Sequence, residues 1–349
     1  MSTANTFPAL LAEHARVRGD RPAIREKHLG IWQTLTWSQV HGSVCRMAHG
    51  LAQLGVRRGD HVAVIGENRP QLYMAMMATQ TLGAVPIALY QDAVAQEMVY
   101  VLQDASVAVV IVEDQEQVDK MLEIRGECPA LQHIVYDDPR GLRHYTDSAL
   151  MSCEQLAERG DAHRSMDPDL IKRCMEEIQP GDDGAMFYTS GTTGKPKGVV
   201  LTNHALIDRA RVIEALEGLT DHEDVLAYLP VAWIGQNMFS YIQVLVTGFT
   251  VNHPESPETV AIDMRDIGPT YYFAPPRVLE GLLTQVTIRM EDAGWVKRKM
   301  YDWGMGVARR VGARILDGES VGLLDRLRYA LGDLCVYGPL RNALGMSRV

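Results

Sequence analysis

The stretch from residue 225 to residue 254 holds no Asp, Glu, Lys or Arg. A membrane-spanning helix needs about 20 consecutive apolar residues, so a run this long without charge raises that reading first. Pro230, Gly235, Gln236, Asn237, Ser240 and Gln243 interrupt it. A buried strand followed by a buried helix is therefore the expectation. Cysteine is also sparse: Cys45, Cys128, Cys153, Cys174 and Cys335 are scattered, with no CxxC pair, no HExxH and no Cys/His cluster at zinc spacing. That pattern argues against a disulfide framework or a structural zinc and fits a reducing, cytoplasmic setting. The first residues, "MSTANTFPALLAEHARVRGD", lack an apolar core behind a basic start, so export is not expected. Positive charge is in deficit as well. Thirty-four basic residues against 44 acidic ones leave a formal net charge of −10, which argues against sequence-independent binding of nucleic acid or an anionic surface by the whole molecule. Any anion site must be local.

What is present is the composition of an ordinary globular protein, 46% apolar and 22% charged over 349 residues. From Trp37 to Leu54, Val40, Val44, Met47, Leu51 and Leu54 fall at helical spacing. Thr36 and Gln39 make a capping box before them and Gly55 ends the helix. "HVAVIG" (61–66) reads as a buried strand, residues 71–82 as a helix, "AVPIAL" as a strand, residues 95–103 as a helix and "SVAVVIV" as a strand. This alternation predicts an α/β fold with a mostly parallel sheet. Met74, Met76 and Met77 are expected to fill core rather than offer a ligand surface. Residues 137–183 are richer in charge and in Asp-Pro and Pro-Gly pairs, and read as a surface connector. A subdomain boundary is placed there, giving an α/β subdomain with its connector over 1–180 and a second α/β subdomain over 181–349.

In the second half, "GAMFY" (184–188) and "GVVLT" (198–202) read as strands and residues 203–217 as a helix stopped by Gly218. "DVLAYLP" is expected to be a strand, residues 237–246 a helix and "TYYFAPP" a strand. From Trp295 to Leu316, Val296, Met300, Trp303, Val307, Val311 and Ile315 form one helical stripe. Lys297, Arg298, Lys299, Arg309, Arg310 and Arg314 face a single acid, Asp302. Two readings of this basic helix stand: a solvated face, or contact with lipid headgroups or a phosphorylated substrate.

Between the strands at 184–188 and 198–202 lies "TSGTTGKPK". Gly191, Gly194 and Gly198 let backbone N–H groups converge on one point. Thr189, Ser190, Thr192 and Thr193 add hydroxyl donors, and Lys195 and Lys197 add positive charge. A polyphosphate is the guest that uses all of them. The pattern is not a Walker loop, because Gly191 and Gly194 are too close together and Pro196 follows Lys195.

"YTSGTTGKPKGV" (188–199) resembles, position for position, the phosphate-loop signature of the adenylate-forming enzymes, the superfamily of acyl-CoA synthetases, luciferases and peptide-synthetase adenylation domains. The N-terminal stretch 34–90 and "YYFAPPRVLEGLL" are similar to further segments of that superfamily. "YLPVAWIGQN" and the helical stretch 295–345 resemble its long-chain fatty acyl-CoA synthetase branch. The resemblance implies a multi-layer αβ sandwich, the N-terminal domain of such an enzyme. It also implies a two-step reaction: a fatty carboxylate attacks ATP to give acyl-adenylate and pyrophosphate, and coenzyme A then displaces AMP. By the same resemblance Thr189, Ser190, Gly191, Thr192, Thr193 and Gly194 cradle phosphates and Lys195 and Lys197 counter their charge. Lys197 is the catalytic candidate and Thr189 a ligand for Mg²⁺. The superfamily usually has His where this chain has Trp233. An indole has one N–H and no titratable nitrogen, so Trp233 is read as a wall of the acyl site rather than a proton carrier. The "YGxTE" and "TGD" segments of the superfamily and its C-terminal lid with a catalytic Lys do not occur in this chain. The expectation is an N-terminal part of a long-chain fatty acid-CoA ligase, inactive and poorly soluble on its own, with peripheral membrane contact through residues 295–316. The alternatives are a medium-chain or aromatic acid-CoA ligase fragment, and a noncatalytic nucleotide-binding or interaction module.

Overall fold

The strands run, in chain order, β1 (Pro22–His28), β2 (Ile31–Thr36), β3 (His61–Ile65), β4 (Val85–Leu89), β5 (Val109–Val112), β6 (His133–Tyr136), β7 (Leu150–Ser152), β8 (Asp183–Thr189), β9 (Lys197–Thr202), β10 (Asp224–Leu226) and β11 (Thr250–His253). They form two sheets in this computed structural model, which describes residues 4–189 and 194–349. The larger sheet has seven strands in the order β7-β6-β5-β3-β4-β8-β9, and the smaller has four in the order β10-β11-β1-β2. From β7 to β8 every neighbouring pair in the larger sheet is parallel; β9 alone runs antiparallel, against β8. Strands β3, β4 and β5 are almost wholly buried, as strands covered on both faces must be, and their runs, dominated by Val, Ile, Ala and Leu, are the sequence of that environment.

The helices that cover the sheets begin with α1 (Phe7–Val17), α2 (Trp37–Gln53), α3 (Pro70–Thr81), α4 (Ala95–Asp104), α5 (Gln115–Ile124), α6 (Cys153–Met166), α7 (Leu170–Glu177) and α8 (Asn203–Glu217). The expected capping box starts α2: Gln39 N–H donates to Thr36 Oγ1 at 3.3 Å and Thr36 N–H donates to Gln39 Oε1 at 2.8 Å. Helix α3 is buried nearly all round and packs against α1, α2 and strands of both sheets. Met74, Met76 and Met77 are buried there, as core filling requires. Gly218, at φ 67°, stops α8 where expected.

Residues divide into two compact units, Met1–Pro257 and Glu258–Val349. The division falls later than the connector at 137–183. That connector contains α6 and α7, and the chain leaving it returns as β8 to pair with β4. The second half thus completes the first half's sheet.

The uncharged stretch takes in the end of β10, then a continuous helical run, Ile234–Asn237, Met238–Ile242 with π hydrogen bonding, and Gln243–Thr247, and finally β11. Gln236, Asn237, Ser240 and Gln243 are buried in it yet polar. Strand β10 is shorter than "DVLAYLP" suggests. Residues 270–275 are not a strand at all but an irregular lead into the helix Pro276–Glu291. The paired prolines explain it: Pro275 and Pro276 remove two N–H donors from any ladder, and Pro276 instead takes the first helical position.

In the second unit, Trp295–Val307 continues through a π turn at Ala308–Gly312 into Ala313–Leu316. Of the six-residue apolar stripe only Val307 and Val311 are buried, at 0% and 3% exposure. Trp295 and Val296 are 70% and 52% exposed. The stripe is therefore a core contact at its centre and a solvent-facing apolar surface at its ends. Among the described residues no helix is long and apolar enough to cross a membrane.

Candidate functional site

The loop singled out in the sequence is the connection of the β8–β9 hairpin. Thr189 pairs with Lys197 in the last rung, Tyr188 with Gly198 and Phe187 with Val199. Because β8 runs parallel to β4 and its neighbours, the chain leaves β8 at the carboxyl edge of the parallel strands. Open α/β sheets present their ligand-binding loops at that edge. β8 is buried from Gly184 to Phe187, half-buried at Tyr188 and exposed at Thr189, so the strand delivers its last residue from core to surface. Lys197 and Lys195 are also exposed. Ser190, Gly191, Thr192 and Thr193 lie outside the described residues.

Two glycines shape what is described of the turn. Gly194 takes φ +99°, a conformation L side chains avoid. At Gly198 a Cβ would stand 1.9 Å from Met186 Cε and 3.2 Å from the Tyr188 ring, so the partner strand occupies the space a side chain would need.

Contacts with helices moor the hairpin. Gln80 of α3 donates an amide N–H to the Gly184 carbonyl at 2.7 Å, and its Oε1 accepts the Tyr241 hydroxyl at 2.6 Å. The uncharged helical run thereby braces the foot of β8. At the other end the Tyr188 hydroxyl donates to Asp104 Oδ2 at 2.7 Å. Burial, and then its bond to that carboxylate, push the Tyr188 hydroxyl well above the ordinary range and keep it a donor. The Lys195 ammonium stands over the Tyr100 ring, 4.8 Å from its centroid. Tyr100 and Asp104 were not among the residues the sequence brought forward. Their spacing of four within α4 is the signal that could have found them, since it puts two polar groups on one face of an amphipathic helix.

Trp233 precedes the helix Ile234–Asn237 and folds over Gly235, where a Cβ would lie 2.5 Å from the indole. Behind it lies a polar network inside the core. The Tyr73 hydroxyl donates to Asn68 Oδ1 at 2.8 Å and lies 2.7 Å from Ser240 Oγ, while Gln236 donates to Ser240 Oγ at 2.7 Å. The absence of charge across 225–254 is thus matched by neutral hydrogen bonding in a place where an ion would be costly.

A second polar cluster occupies the same carboxyl edge beyond β3, β5 and β6. Arg69 Nε donates to Glu113 Oε1 at 2.7 Å, and Glu113 Oε2 accepts the Glu67 N–H at 2.6 Å. Asp137 sits beside them with its carboxyl pushed up to about 7. Burial is the main cause, followed by the charges of Glu26 and Glu113, against the opposing pull of Arg69. Among the described residues no group of three or more His, Cys, Asp or Glu could hold a metal ion. Thr189 offers one neutral oxygen. That fits Mg²⁺ only as a single ligand added to phosphate oxygens and water.

A family model described as AMP-binding enzyme matches residues 11–341. Among curated relatives, a long-chain-fatty-acid–CoA ligase of Rattus norvegicus is 26% identical, the match covering 99% of this chain and 52% of the relative. One from Mycobacterium bovis is 27% identical, covering 97% and 54%. The chain spans about half the length of the curated relatives it matches. The fold is shared with solved structures. The inhibitor-bound N-terminal domain of FACL13 from Mycobacterium tuberculosis superposes with a TM-score of 0.61 at 22% identity, over 75% of this chain and 60% of that one. A fatty acyl-adenylate ligase from L. pneumophila, in complex with acyl adenylate and pyrophosphate, superposes with a TM-score of 0.58 at 15% identity, over 77% and 44%.

Proposed function

The chain belongs to the AMP-binding enzyme family, and on that premise we propose that its β8–β9 hairpin is the polyphosphate grip of an ATP-dependent long-chain fatty acid-CoA ligase. The observation that carries this is the Thr189–Lys197 rung, a hydroxyl and an ammonium side chain opposed at the carboxyl edge of the parallel sheet on either side of a Gly/Ser/Thr turn.

In the first step a carboxylate oxygen of the fatty acid attacks the α-phosphorus of ATP. The bond from that phosphorus to the bridging oxygen breaks, giving acyl-adenylate and pyrophosphate. In the second, the sulfur of coenzyme A attacks the acyl carbon and AMP leaves. The attack itself asks little of covalent chemistry. It needs the phosphates held in line and the charge growing on pyrophosphate compensated. Lys197, at the exposed head of β9, would supply that positive charge, and Thr189 opposite it a hydroxyl. Backbone N–H groups from Thr189 to Gly194 would complete the cradle around the phosphates. Mg²⁺ arriving with ATP would add charge neutralisation, with Thr189 as its one ligand from the described hairpin.

Supporting the acyl part is the uncharged helical run 234–247, with Trp233 at its head as a flat apolar wall. Supporting long-chain acids are the relatives of that description at 26% and 27% identity. Carboxylate-dependent exchange of labelled pyrophosphate into ATP by the full-length gene product, run with fatty acids of graded length, tests the proposal. An optimum among long chains is expected. Best exchange with benzoate-like acids overturns the substrate class, and no exchange with any acid overturns the reaction.

A further inference from the structure

The hairpin's described limbs meet α4 at two points one helical turn apart. Before the turn, Tyr188 of β8 donates its hydroxyl to Asp104 Oδ2 at 2.7 Å. After the turn, the Lys195 ammonium rests 4.8 Å from the centroid of the Tyr100 ring. Tyr100 and Asp104 are themselves joined by a long contact of 3.5 Å between the Tyr100 hydroxyl and Asp104 Oδ1. Both tyrosines also pack against the core beneath the sheet. Among the described residues Lys195 lies beyond the last ladder rung, and β9 has a neighbour on one side only. The ring contact is what the described residues offer its side chain. The C-terminal half of α4 suits a cation through the helix dipole and the face of the Tyr100 ring.

The geometry points to the Tyr100/Asp104 face of α4 as the seat of the phosphate-loop hairpin, with both side chains as positioning residues for it. The inference rests on the reading of the hairpin as a polyphosphate grip, and it adds what holds that grip before a ligand arrives. A loop whose ends are already fixed loses less freedom when it binds, so the seat should appear in affinity. Tyr100 acts on Lys195 through its ring face. Phe preserves that face and Leu removes it.

The test uses this 349-residue chain and two readouts: titration with inorganic pyrophosphate, and amide hydrogen exchange of residues 185–189 and 194–200 without ligand. Tyr100→Leu is expected to weaken pyrophosphate binding about two- to fivefold and to speed exchange in 194–200. Tyr100→Phe should match the parent in both. In a Lys195→Met background, Tyr100→Leu should add no further weakening, because the partner of the ring is already gone. The seat is overturned if Tyr100→Leu changes neither readout, or if it weakens binding equally with and without Lys195. Should the parent chain itself not bind pyrophosphate, the polyphosphate reading falls, and the exchange comparison of Leu with Phe still decides whether the seat exists.

Discussion

Thr189 and Lys197 face each other across the final rung of the β8–β9 hairpin, one ending a strand that rises out of the core and the other beginning the sheet's edge strand. The register also fixes the rung below, where Tyr188 stands opposite Gly198.

Gly198 is the position at which that register is most easily disturbed. A methyl group there meets the end of the Met186 side chain, which can swing away, and the Tyr188 ring, which Asp104 holds. Gly198→Ala is expected to lower stability by about 1 kcal/mol, the low end of overpacking costs. Urea unfolding measures it. In a Met186→Ala background the same substitution should cost clearly less; an equal cost would place the strain elsewhere.

Asp137 gives a second expectation. Its folded-state carboxyl titrates near 7, above the ordinary carboxylate value of about 4, because burial and the neighbouring Glu26 and Glu113 disfavour its charge. The stability it contributes is fully present below about pH 4 and is lost as pH rises through 7. Asp137→Asn should therefore unfold at higher urea than the parent at pH 8, by on the order of 1–2 kcal/mol, and coincide with it near pH 4. A difference that does not vary with pH would contradict the assignment.

His14 acts in the opposite sense. Buried beneath Trp37, with Nε2 2.7 Å from the Leu245 carbonyl, it titrates near 4 because burial outweighs that hydrogen bond. A histidine held neutral contributes stability that is complete above about pH 6.5 and lost as pH falls toward 4. His253, driven by burial to about 3, adds to the same loss. Thermal melts from pH 7 down to 4.5 should show falling stability. The slope should be shallower in His14→Gln, by an amount on the order of 2 kcal/mol at the acid end; parallel slopes would sink the account.

How much of this was legible in the sequence depends on the range of the interaction. Helix α2 announced itself through Thr36 and Gln39, and β3, β4 and β5 through short uncharged apolar runs, because caps and doubly buried strands are written in consecutive residues. The hairpin limbs were legible too, since the turn between them is dense in Gly, Ser and Thr. "TYYFAPP" failed as a strand because its aromatic β-propensity yielded to two missing N–H donors at Pro275 and Pro276. The stripe from Val296 to Ile315 had helical period, yet period says only which residues share a face. It does not say that something covers them. Tyr100 and Asp104 were out of reach for another reason. Their partners, Tyr188 and Lys195, lie more than 80 residues away, and only the sheet order β5-β3-β4-β8 brings the two segments together.

The central claim is that the hairpin holds the phosphates of ATP through Lys197. Calorimetric titration of ATP into the 349-residue chain and its Lys197→Ala variant, with matched thermal melts to show that both are folded, tests it most directly. The account predicts saturable binding that weakens about tenfold or more when the ammonium is removed, as befits a charge-assisted contact to phosphate. Equal affinity in the two proteins would contradict it.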